Sequence, residues 1–139
     1  MSRLVIGVGN ATRGDDGVGV AVTHRLNPAG LVAHTPFELI DLWEGAGEVF
    51  VVDAARSGAP PGTIHRIEVG REELPPGVLT GSTHTISIAD VVALARTLGR
   101  LPRRLVIYGI EAGDLSHGDT LSPEVEAAVD AVVAEVGRA

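Results

Sequence analysis

Two adjacent carboxylates, Asp15 and Asp16, lie in the glycine-rich run Gly9-Asn10-Ala11-Thr12-Arg13-Gly14-Asp15-Asp16-Gly17-Val18-Gly19, directly after an apolar stretch. A third, Asp53, follows Val49-Phe50-Val51-Val52, and His84 stands at the end of a long aperiodic segment. Two carboxylates and an imidazole form a hard-to-borderline donor set, compatible with nickel, zinc or manganese and diagnostic of none of them. Each residue alone has an ordinary structural explanation. Acids at a helix start cap orphan N–H groups and favour the macrodipole, and an aspartate after a strand forms a turn. As a set, Asp16, Asp53 and His84 come from three separate segments that could converge at one sheet edge.

The same acids exclude the commonest use of a glycine-rich turn. A dinucleotide fingerprint needs a third glycine that Gly7-Val8-Gly9-Asn10-Ala11-Thr12 lacks, and carboxylates at the helix start would repel a pyrophosphate. The P-loop, the H-E-x-x-H helix and the G-x-S-x-G elbow are absent too. No nucleotide cofactor is expected.

Composition narrows the class further. A chain of 139 residues with no repeat, linker or low-complexity tract reads as one domain, 1–139. Apolar residues make up 45% and aromatics 3%, so the interior must be built from Val, Leu, Ile and Ala. A formal net charge of -7 argues against a nucleic-acid partner, whose backbone attracts Lys and Arg. The absence of cysteine removes disulfides, thiolate ligands and a Cys nucleophile, leaving oxygen and imidazole as metal donors. No run approaches the ~18 apolar residues of a membrane span, and the N-terminus lacks a secretory pattern. Cytoplasmic residence without a membrane partner is the expectation.

The elements that would position these residues follow from apolar patterning. Leu4–Val8 reads as a strand buried on both faces. A helix over 16–27, capped by Asp15 or Gly14, carries the stripe Val18, Ala21, Val22 and Leu26 and stops at Pro28. Leu31–Ala33 is a short strand, and a helix from Pro36 through Trp43 ends at Gly45 and Gly47. A third strand, 49–52, terminates in Asp53; Thr63–Val69 is a mixed edge strand that can run antiparallel. Residues 70–86 form a long loop, Ser87 opens a helix to about Thr97, Leu105–Tyr108 is a strand, and Ser122-Pro123 starts the last helix. Alternating strands and helices imply a three-layer α/β/α sandwich with a mostly parallel, mixed central sheet of about five strands. In such sheets sites gather beyond the carboxyl ends of the strands, where Asn10–Asp16, Asp53 and Glu111 are expected.

The ordered set Val5-Ile6-Gly7-Val8-Gly9-Asn10, Gly14-Asp15-Asp16-Gly17-Val18-Gly19, Val51-Val52-Asp53-Ala54 and Ser82-Thr83-His84 resembles the maturation endopeptidases of nickel-iron hydrogenases. Gly109-Ile110-Glu111 and Leu121-Ser122-Pro123-Glu124-Val125 are similar to that family's closing segments, so nearly the whole chain takes part. One segment departs: Ala33-His34-Thr35-Pro36-Phe37 stands where many relatives carry an acid-Gly-Gly-Thr type stretch.

The resemblance implies that Asp16, Asp53 and His84 form a nickel-recognising, catalytic site. It further implies that the enzyme removes a C-terminal peptide from a hydrogenase large-subunit precursor after nickel insertion, so that the substrate itself presents the metal. Asp15 is assigned to capping and support of the site, Gly9 and Gly17 to turn geometry, and Asn10 to bracing the turn through its side chain. Glu111 and the Asp114–Asp119 segment, including His117, read as structural or rim polar groups. A nickel-binding accessory or delivery protein that does not cut, and a small-molecule metallohydrolase, are the alternative readings.

Overall fold

The computed structural model describes residues 3–10, 14–27, 30–70, 88–113 and 120–138. Strand β1 (Arg3–Val8) leads through a 3-10 turn (Gly14–Gly17) into helix α1 (Val18–Leu26), then β2 (Leu31–Ala33), a second 3-10 turn (Pro36–Glu38) and α2 (Leu39–Leu42). Strands β3 (Glu48–Ala55) and β4 (Ile64–Glu68), helix α3 (Ile88–Leu98), strand β5 (Arg104–Glu111) and helix α4 (Pro123–Arg138) complete the order. The sheet runs β2-β1-β3-β5-β4. All neighbours are parallel except β4, which pairs with β5 in the antiparallel sense. This is the mixed α/β/α sandwich that the apolar runs imply.

Side chains alternate across a strand, so each central strand supplies both cores. On β3, Val49, Val51 and Ala55 join the core beneath α2 and α3, whereas Phe50, Val52 and Ala54 join the one beneath α1 and α4. β5 divides in the same way, with Leu105 and Ile107 on the first face and Val106, Tyr108 and Ile110 on the second. Both strands are therefore continuous apolar runs, as covering on two faces requires.

Several boundaries differ from the sequence reading, among them that of β5, which runs on to Glu111 instead of ending at Tyr108. β3 continues to Ala55, so Asp53 lies inside the strand and not beyond it; its pairing with Gly109 of β5 holds the backbone extended. The helix expected from Pro36 to Trp43 is a 3-10 turn followed by one α-turn, because little chain separates Pro36 from the left-handed Gly45 (φ 82°). The helix expected from residue 16 begins at Val18, with Gly17 as its N-cap and no side-chain cap. The loop 70–86 falls almost wholly outside the described residues. Among those described, no helix is long and apolar enough to cross a membrane.

Close backbone approach fixes where α1 sits. A Cβ at Gly19 would lie 2.2 Å from the Val52 carbonyl oxygen and 2.8 Å from that of Val8, and one at Gly7 would lie 2.3 Å from the Gly19 oxygen. The helix start is thus seated on the ends of β1 and β3, and the acidic turn before it lands at their carboxyl ends.

Candidate active site

The turn carrying Asp15 and Asp16 is closed by contacts that leave it little freedom. Gly9, at φ 138°, faces Asp16 so closely that a Cβ there would lie 2.1 Å from the Asp16 carbonyl oxygen, which no L side chain permits. The Asn10 backbone N–H donates to Asp16 Oδ2 at 3.0 Å. The Asn10 main chain thus braces the turn. Asp16 is 2% exposed, so its carboxylate is held in a fixed place and largely dried.

Asp53 reaches the same end of the sheet from β3 and is 6% exposed. Its Oδ1 accepts the Ala54 N–H at 2.8 Å. Burial pushes its carboxyl well above the ordinary range; the Ala54 bond opposes that shift, and the negative charge of Asp16 adds to it. The charge of Asp16 is thus felt at Asp53. A positive charge nearby would relieve both the burial cost and the repulsion. His84, the third expected ligand, and His117 lie outside the described residues. Among the described residues no group of three or more His, Cys, Asp and Glu is arranged to hold a metal.

Asp15 does not cap α1 as expected. Its fully buried carboxylate accepts from Gly113 N at 2.7 Å, Ser122 N at 2.7 Å and Ser122 Oγ at 2.6 Å. It therefore anchors the exit of β5 and the entry of α4 to the acidic turn. A 3-10 turn with a glycine N-cap aims the side chain across the molecule and away from its own helix start.

Glu111, read as a rim or structural group, is the last residue of β5 and only 2% exposed. Its carboxylate accepts from Ser57 Oγ at 2.6 Å and from Ser57 N at 2.9 Å, and lies 3.0 Å from His65 Nε2. Ser57 and His65 carry no signal of this partnership in the sequence. No local spacing signals a partnership across 54 and 46 residues, and His65 sits in a strand of mixed polarity.

A profile of the family described as hydrogenase maturation protease matches residues 32–139. The chain is 32% identical to the hydrogenase expression/formation protein HupD of Rhodobacter capsulatus over 147 residues, covering 97% of this chain and 69% of that protein. It is 30% identical to the protein of the same name from Thiocapsa roseopersicina, covering 88% of this chain and 60% of that relative's length. Among solved structures, the [NiFe] hydrogenase maturation protease HybD from Thermococcus kodakarensis superposes with a TM-score of 0.75 at 25% identity, covering 99% of this chain and 98% of that one.

Proposed function

The chain belongs to the hydrogenase maturation protease family, a family of hydrolases, and from that premise we propose that it is an endopeptidase removing the C-terminal extension of a nickel-loaded hydrogenase large-subunit precursor. The observation that supports this reading is the burial of two carboxylates, Asp16 and Asp53, toward the carboxyl ends of β1 and β3, with the charge of Asp16 acting on Asp53. In this reading His84 completes the set, and the metal arrives with the substrate. Two like charges kept in a dry site have little purpose without a cation to share.

Within that frame the chain's own residues register the scissile peptide. Gly9 and the Asn10 N–H fix Asp16, the extended β3 backbone fixes Asp53, and the dry surroundings strengthen each interaction with an incoming cation. When bound, the substrate's nickel supplies Lewis acidity toward the peptide carbonyl or an attacking water.

Incubating the nickel-loaded precursor with the protein and weighing the precursor by mass spectrometry tests the proposal. The expected result is loss of a C-terminal peptide with the wild-type protein and an intact precursor with Asp16→Ala, Asp53→Ala or His84→Ala. A precursor left whole by the wild-type protein, where another maturation protease cuts it, rejects the proteolytic reading. If the protein stays bound to that uncut precursor, a non-cleaving accessory role takes its place.

A further inference from the structure

The Glu111 cluster lies at the same end of the sheet as Asp53, on neighbouring strands. Asp53 and His65 are both register partners of Gly109, one from each neighbouring strand, so the two flank that glycine on a single face of the sheet. It is the face of Val51, Ala55 and Ile107, under α2 and α3. At the usual strand spacing of about 4.8 Å their α-carbons are about 10 Å apart, and Gly109 contributes no side chain between them. An extended peptide, advancing about 3.3 Å per residue, can present one amide group there. Because β4 is antiparallel to β5, its first residues and not its last reach this end of the sheet.

The imidazole is itself oriented. Glu111 Oε1 lies 3.0 Å from His65 Nε2 and also accepts the Ser57 hydroxyl. Burial would raise the Glu111 carboxyl, but the Ser57 hydroxyl, the His65 ring and the Ser57 amide outweigh it and hold Glu111 below its ordinary value. An ionised carboxylate at Nε2 places a hydrogen on that nitrogen and directs proton exchange to Nδ1, the arrangement by which a buried acid sets the tautomer of a working histidine. The His65 side chain is 24% exposed, so it is anchored yet open to a bound substrate.

We propose that His65, oriented by Glu111, is the proton donor to the leaving amine when the peptide bond is cut; this rests on the proteolytic reading above. Water oxygen bonds to the scissile carbonyl carbon, and the water's proton passes to a carboxylate of the site. The C–N bond then breaks with its electron pair on nitrogen, and the proton on His65 Nδ1 moves to that nitrogen. The products are a new carboxyl terminus and a free amine. The site carboxylate returns its proton to solvent and His65 takes one up, so the enzyme's proton count is unchanged.

The test uses the whole chain and the nickel-loaded precursor. His65→Gln retains a side-chain N–H for Glu111 but cannot transfer a proton; kcat is expected to fall about 100-fold or more with KM little changed. His65→Ala is expected to fall as far and to regain activity with added imidazole, which a purely structural histidine would not do. Cutting by His65→Gln at the wild-type rate overturns the proposal, as does a folded His65→Ala that imidazole fails to rescue. If His65→Ala does not fold, the His65→Gln rate decides alone. A wild-type protein that leaves the precursor uncut removes the proteolytic reading and this proposal with it, whereas undiminished cutting by His65→Gln removes the role of His65 only.

Discussion

Burial and the charge of Asp16 both oppose ionisation of Asp53, so the native state holds this side chain more easily as an acid than the unfolded chain does. Asp53→Asn keeps the shape and the acceptor for the Ala54 N–H but drops the charge. The variant should gain about 1–3 kcal/mol of stability at neutral pH, the range for relieving a poorly compensated buried polar group, while losing processing. The sign follows from a raised native pKa: stability associated with protonated Asp53 is present at low pH and lost as pH rises through that value. Thermal unfolding against pH should therefore show the gap between variant and wild type closing on acidification. A constant gap would mean that the charge is not what the substitution relieved. At this scale residue type and position in the sequence singled out Asp16 and Asp53, both of which are buried. The sequence was silent on the partners of Asp15 and Glu111, because the partners of a buried acid are chosen by tertiary folding and leave no local pattern.

The elements owe their positions to small residues as much as to apolar stripes. Val18 and Val22 anchor α1 in its core, but Gly19 lets the helix descend onto the β1 and β3 backbones. Gly19→Ala places a methyl 2.2 Å from a carbonyl oxygen that cannot move aside; a loss of about 3 kcal/mol or more, or failure to fold, is expected in denaturant titration. Gly137, within α4, has nothing within 4 Å of a built Cβ. Gly137→Ala should thus stabilise by about 0.5–1 kcal/mol through helix propensity. If the two substitutions cost the same, close packing is not what fixes the helix. Strand identity was legible because β1, β3 and β5 are covered on both faces and read as unbroken apolar runs. The extent of β3 and β5 was not, since Asp53 and Glu111 read as terminators until their buried partners are known.

Across the whole molecule the two poles of the sheet are built differently. The amino-terminal pole pairs its charges at the surface, with Arg104 bonded to Glu48 at 2.5 Å and Arg3 4.0 Å from the same acid. The carboxyl-terminal pole buries Asp15, Asp16, Asp53 and Glu111. There Asp15 joins positions 98 and 107 residues away through its bonds to Gly113 and Ser122, tying the start of the chain to its last helix. Asp15→Ala should cost about 3 kcal/mol or more, since charge-assisted bonds of about 1.5–3 kcal/mol each are lost together and the Gly113 and Ser122 N–H groups lose their acceptor. That exceeds the ~0.5–2 kcal/mol of a simple helix cap, and chemical denaturation distinguishes the two.

The placing of β4 bears on the order in which the chain can assemble. It follows β3 directly in sequence, yet β5 lies between them in the sheet, and the segment 56–63 spans the end of the gap. During synthesis residues 64–68 therefore wait without their strand partner until residues 104–111 have been made and have slid into the opening, so the histidine-bearing edge acquires its final hydrogen bonds only after most of the polypeptide exists.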